Sequence, residues 1–284
     1  MPDFPVIDAH LHLWDPQEMP INWLQENQFL NHAFLPKDYQ NHTAQIDVEA
    51  MVFVECFVNK GDYLNEVKFV EKCIKTDPRI QAIVAQANVE EGADIRPFLA
   101  HLKSNHPKVV GIRRLIEGQP DPDFCIQPNF IRGVNALAEF NFSFDINIVH
   151  TQFEKVLEMV PQIEGVNMML DHCGKPGIRS GEIERWTDHI YQLAEYKNVS
   201  CKLSDLPVEA DWKNWQEDQI FPYIDVVVKA FGFDRLVYAA DWPVCLQATN
   251  PGQWVSLLDT YFATEDPSNL KKFYNSNARN FYKL

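Results

Sequence analysis

The segment VIDAHLHLW, Val6–Trp14, places two histidines one residue apart in an otherwise apolar run. In a β-strand side chains alternate between faces, so His10 and His12 point one way while Ala9 and Leu11 point the other. Two imidazoles then converge on one point in space. Short β-rich runs of the same kind recur as AMVFVEC (50–56), IQAIVAQANV (80–89), VVGIRRLI (109–116), FSFDINIV (142–149), NMMLDHC (167–173), VSCKLS (199–204) and LVYAADW (236–242). With VIDAHLHL (6–13) they make eight.

Between them lie YLNEVKFVEKCIKT, GADIRPFLAHLKSNH, FIRGVNALAEF, TQFEKVLEMVPQI, IERWTDHIYQLAEYK and FPYIDVVVKAFG, in which apolar residues recur at three- and four-residue spacing. That period predicts amphipathic helices, and the terminal NLKKFYNSNARNFYKL reads as another. The alternation argues for an α/β fold of parallel strands with crossover helices, closing into a (β/α)8 TIM barrel as one domain over residues 1–284. An open doubly wound sheet is the alternative. Two insertions, about 14–47 after the first strand and EGQPDPDFCIQPNF (117–130) after the fourth, would overhang the C-terminal mouth of such a barrel as a lid or rim.

Hydrophobic residues make up 46% of the 284, enough for a sizeable core. Lys plus Arg is 25 against 40 Asp plus Glu, a net charge of −15 that argues against nucleic acid and anionic membrane surfaces as partners. No run approaches the ~18 apolar residues of a membrane span, and MPDFPVIDAH has no basic start followed by a long apolar stretch. A cytoplasmic protein is the expectation, with a homo-oligomer compatible with it. The six cysteines include no CxxC pair and are read as reduced, buried thiols.

Polar residues gather at the strand ends: His10 and His12, Glu55, Arg113 and Arg114, Asp145 and His150, Asp171 and His172, Lys202, and Asp241. An apolar barrel core does not tolerate so many ionisable groups unpaired, so one polar site at one mouth is expected. Strands one and eight are neighbours in a closed barrel. His10, His12 and Asp241 therefore form a candidate set for a divalent metal with an open position for water, against the plainer reading of two paired core histidines.

IDAHLHLW (7–14), GIRR (111–114), LDHCGKP (170–176), VSCKLS (199–204), FGFDRLVYAADWPVC (231–245) and NSNARNFYKL (275–284) together resemble the amidohydrolase superfamily. The resemblance is to its branch of lactonases that includes sugar lactonases and 2-pyrone-4,6-dicarboxylate lactonase. It implies hydrolysis at the C-terminal mouth, with His10 and His12 matching the first-strand pair, His172 the sixth-strand histidine and Asp241 the last-strand aspartate. Ala239 and Ala240 stand where the family commonly has Gly-Ser, and Asp205 where it has glycine.

Opening a lactone needs a nucleophilic water, a polarised carbonyl and a proton for the ring oxygen. On this reading Asp241 takes the water proton and returns it to the leaving oxygen, and His172 stabilises the oxyanion. His10 and His12 bind at most one divalent metal, zinc foremost, or bond the carbonyl directly in catalysis without metal. Arg113 is either a two-pronged clamp on substrate or a structural partner of an acid such as Glu55. Lys202 has the same two readings. His150 is a further ligand or acid, or a loop histidine capping the next helix. Trp14 and Trp242 stack on a ring or pack in the core. The expected substrate is a deoxy-aldono lactone, since a dicarboxylated pyrone would need more positive charge. The alternatives are metal-dependent, non-oxidative decarboxylation of an aromatic or unsaturated acid, and a binding barrel without turnover.

Overall fold

The computed structural model describes residues 2–284. Eight parallel strands are hydrogen-bonded in the order of the chain: β1 (Val6–Leu11), β2 (Val48–Val54), β3 (Ile80–Gln86), β4 (Val109–Arg113), β5 (Ser143–Ile146), β6 (Met168–Leu170), β7 (Val199–Leu203) and β8 (Leu236–Tyr238). The seam between β1 and the end of β8 is joined by the His12 amide donating to Trp242 O at 2.8 Å and the Asp241 amide to His10 O at 3.0 Å. This is the (β/α)8 barrel that the alternating pattern implies, and the open sheet is set aside.

Each strand ends before its apolar run does, because the last residues of the run turn out of the ladder to carry side chains over the mouth. NMMLDHC, for example, is strand only over Met168–Leu170. The outer helices follow the periodic segments, with Tyr63–Thr76 as expected and Glu217–Phe231 beginning four residues earlier than FPYIDVVVKAFG. The terminal segment is interrupted: helix Pro267–Lys271, a π turn at Lys272–Ser276, then helix Asn277–Tyr282. Helix Pro251–Tyr261, which the sequence reading passed over, follows the eighth strand, capped by the Asn250 side chain accepting from the Gln253 amide.

Inside the barrel, Ile7, Ala9, Val52, Val84, Met169 and Val237 pack with Tyr282, whose helix supplies the inner cluster with Ala278. Ala9 was expected to face away from that interior. The register explains the difference: three steps on β1, Asp8 to Leu11, match two on β2, Met51 to Phe53. One extra residue bulges β1, so Ala9 packs inward while His10 and His12 still converge. The six cysteines are buried and unpaired by disulfides. Among the described residues, no helix is long and apolar enough to cross a membrane.

Candidate active site

Strand geometry brings His10 Nε2 and His12 Nε2 to 3.1 Å from each other. Asp241 Oδ1 lies 3.1 Å from His12 Nε2 and 3.5 Å from His10 Nε2, and Asp241 Oδ2 lies 3.9 Å from His172 Nε2. All four side chains are buried, and His12, His172 and Asp241 line a cavity of about 390 Å³.

Hydrogen-bond partners assign the hydrogens. His12 Nδ1 faces the Val54 carbonyl at 2.8 Å, and a carbonyl only accepts, so Nδ1 carries the hydrogen and Nε2 presents a lone pair. That lone pair points at a carboxylate oxygen, Asp241 Oδ1, which is buried and has no hydrogen-bond partner. Two acceptors held this close repel unless a proton or a metal cation lies between them. His10 Nε2 faces the Arg113 Nη1 donor at 3.3 Å and so also presents a lone pair, while its Nδ1 lies 3.2 Å from Lys202 Nζ and 3.5 Å from Asp171 Oδ1. The donor set, two imidazoles and one carboxylate within 4.8 Å of one another, therefore fits a divalent cation.

The left-handed backbone aims the remaining groups. His172, Cys173 and Lys175 have φ of 52°, 55° and 46°, and Asp205 and Asp241 have 64° and 56°. Such values are uncommon outside glycine and concentrate where surrounding structure enforces them. Gly174 continues the run at φ 69°, and a Cβ there would collide with the Phe153 ring. His172 Nδ1 pairs with Ser204 Oγ at 2.9 Å. Burial lowers the His172 pKa to about 4, so the ring is neutral at pH 7.

Beneath this layer Arg113 donates Nε to Glu55 Oε1 at 2.7 Å and Nη1 to Asp171 Oδ2 at 3.0 Å. Lys202 Nζ lies 2.6 Å from Asp145 Oδ2 and 2.8 Å from Asp171 Oδ1, with Tyr282 donating to Asp145 at 2.9 Å. Asp171 thus joins both cations, and it also braces His10.

The expected substrate contacts divide. Trp14 lines the cavity, fixed by its Nε1 donating to the carbonyls of Leu30 and His32, and Arg113 reaches its wall while committed to two acids. Lys202 is not brought to the cavity: it is fully buried among acids, which is the structural reading. Trp242 is also turned away, packed edge-on against Phe34 and Tyr39 with Nε1 on His42. His150 lies at the start of the short 3-10 turn His150–Gln152, its ring 3.1 Å from Lys175 O, outside the cavity.

Residues the sequence reading did not single out complete the wall. Lys175 Nζ pairs with Glu117 Oε2 at 2.6 Å, and both line the cavity with Asn147, Trp23, Asn27 and Gln247. Both insertions therefore contribute, through Trp23, Asn27 and Leu30 in one case and Glu117 in the other. Burial and the neighbouring Asp241 raise Asp205 well above the usual carboxyl range. For Glu209, burial raises the pKa to about 7 against the pull of Lys175.

A barrel with this histidine and aspartate set at its C-terminal mouth defines a class, and the chain belongs to the amidohydrolase family, whose pattern matches residues 7–284. An amidohydrolase of Burkholderia multivorans with bound zinc superposes with a TM-score of 0.88 at 25% identity, covering 99% of this chain and 100% of that one. The L-fucono-1,5-lactonase of Burkholderia ambifaria is 25% identical over 98% of this chain and 95% of its own length. The L-rhamnono-gamma-lactonase of Scheffersomyces stipitis is 23% identical over 100% of both chains.

Proposed function

We propose that the protein is a hydrolase that opens a lactone ring, with a sugar-derived lactone as substrate. The observation that carries this reading is the unpartnered Asp241 carboxylate oxygen, 3.1 Å from the His12 lone pair at the base of the cavity. The sugar-lactonase names of two relatives supply the substrate class.

His10, His12 and Asp241 would hold one divalent metal, zinc being the ion found in the Burkholderia multivorans structure. When bound, such an ion acidifies water and polarises a carbonyl. Asp241 then accepts a proton from the attacking water as its oxygen adds to the lactone carbonyl. When the ring C–O bond breaks, Asp241 returns that proton to the departing oxygen, giving a hydroxy acid. His172 Nδ1 pairs with the Ser204 hydroxyl, and in the tautomer in which that hydroxyl donates, neutral His172 carries its hydrogen on Nε2 for donation to the developing oxyanion. Lys175 and Glu117, paired on the wall, orient hydroxyl groups of the substrate.

The test is acid release in weak buffer across aldono-1,4- and 1,5-lactones, pyrone and muconolactone-type compounds. Turnover of a sugar-lactone subset that drops by about 10³-fold or more in Asp241→Asn is the expected result. Silence across the panel with metal supplied, or near-normal turnover in Asp241→Asn, would overturn the assignment.

A further inference from the structure

Next to the cavity above Asp241 lies a second one, of about 380 Å³, with Trp23 and Phe57 common to both walls. Each volume lies in the range of small-molecule pockets. The second is lined by Gln86, the last residue of β3, which is 2% exposed and whose Oε1 has no hydrogen-bond partner. A buried amide oxygen left unpaired is unfavourable, and a ligand that donates to it removes the penalty.

The surrounding wall is polar, with Lys60, Arg114 and Glu90 as its charged residues. Asn59, Asn88 and Gln119 add planar amides, and Tyr63 donates to Asn88 Oδ1 at 2.7 Å. Arg114 commits Nε and Nη2 to Glu90, with a shortest contact of 2.7 Å, so these two charges offset each other. Trp23 is pinned by Nε1 donating to Cys56 O at 2.8 Å, and Phe57, at φ 53°, is held by its amide donating to Glu55 Oε2 at 2.6 Å. Fixed aromatic rings beside amide groups suit a pyranose: the rings pack against C–H faces, and the amides bond to adjacent hydroxyls. With Arg114 and Glu90 offset, the wall's net positive charge is that of Lys60, which does not match a dianion.

We propose that this second cavity is a subsite for a glycosyl unit, so that the preferred substrate class is a glycosylated aldonolactone. The lactone ring sits over Asp241, and the attached sugar passes Trp23 and Phe57 to reach Gln86. The reaction rests on the lactonase reading above; the subsite rests on the second cavity alone.

The experiment compares kcat/KM for simple aldonolactones with that for the same lactones carrying a glycosyl substituent, in the wild type, Gln86→Leu and the half-buried variant Gln119→Ala. A preference of about tenfold or more for the glycosylated series, lost in Gln86→Leu and weakened in Gln119→Ala while simple lactones change less than about twofold, is expected. Equal or slower turnover of the glycosylated series, or a preference that both variants retain, overturns it. Saturation-transfer NMR with a panel of methyl glycosides reads the subsite independently of turnover. Binding that Gln86→Leu abolishes supports the subsite even if no lactone is hydrolysed, and absence of binding across the panel in the folded wild type sinks it.

Discussion

Asp8 reaches across the closing seam of the barrel, its Oδ1 accepting from the Ala240 amide at 2.9 Å. The same oxygen accepts from the His10 amide at 3.1 Å, and Oδ2 accepts from the Tyr39 hydroxyl at 2.8 Å. One fully buried carboxyl thus ties the strand bearing His10 to the segment bearing Asp241. Replacing it leaves two backbone amides and a phenol without partners, at a cost of about 3 kcal/mol or more in Asp8→Ala. Tyr39→Phe removes one of the three bonds and costs about 1–2 kcal/mol. Urea unfolding of both variants checks the order, and Tyr39→Phe as harmful as Asp8→Ala would refute it.

Lys202 bridges Asp145 and Asp171 in a site with no solvent contact. Burial opposes its charge, but the two carboxylates prevail and its pKa is raised. Lys202→Met strands two buried acids and is expected to destabilise the barrel by about 3–5 kcal/mol. A lysine that contacted substrate would instead raise KM with little loss of stability. Thermal unfolding and steady-state kinetics on the same variant separate the two.

The convergence of His10, His12 and Asp241 was readable because it follows from two periodic facts, alternation along a strand and adjacency of the first and last strands in a closed barrel. Arg113 and Lys202 could be placed at strand ends but not assigned, since a charge at a strand end pairs with whichever acid the register supplies; here the register sets Arg113 beside Asp145 and the side chain reaches on to Glu55 and Asp171. Lys175, Glu117 and Glu209 went unnoticed for a different reason, and Asp205 stood out only as a departure from the family's glycine. Their positions depend on loops after the strands, where left-handed residues such as Lys175 and Asp205 redirect the chain, and no period encodes that turn. The helix Pro251–Tyr261 was missed because it opens on Asn-Pro-Gly, which read locally is turn chemistry, although Asn250 serves there as the cap.

Glu66 lies under the second strand's end, fully buried, with Oε1 accepting from the Cys56 amide at 2.7 Å. Burial, followed by the nearby Glu55, raises its pKa from 4.5 to about 8. The folded form therefore holds a proton that the unfolded chain gives up more readily. The contribution to stability is complete below the unfolded value and is lost as pH rises through the folded one. Glu66→Gln keeps an acceptor for the Cys56 amide without an ionisation cost. It should match the wild type near pH 4 and exceed it by a margin of a few kcal/mol, growing up to about pH 8. Denaturant unfolding from pH 4 to 8 measures this, and a margin that stays flat or shrinks would contradict the assignment.

Metal removal tests the lone-pair argument directly. With no cation, His12 Nε2 and Asp241 Oδ1 face each other at 3.1 Å as two acceptors, and either a proton or separation of the side chains must relieve them. A cation bound only by the folded protein stabilises it by mass action, about 2.7 kcal/mol at a free concentration 100 times the Kd. Dialysis against a chelator is expected to lower Tm by several degrees, about 2–4 °C per kcal/mol for a chain of this size, and added zinc should restore it. In His12→Asn and Asp241→Asn the response to zinc should be largely lost, because each removes a member of the donor set. Elemental analysis of the protein as purified supplies the stoichiometry: about one equivalent in the wild type and much less in either variant. A wild type that carries no metal and melts identically with and without zinc would instead assign the space between His12 and Asp241 to a proton.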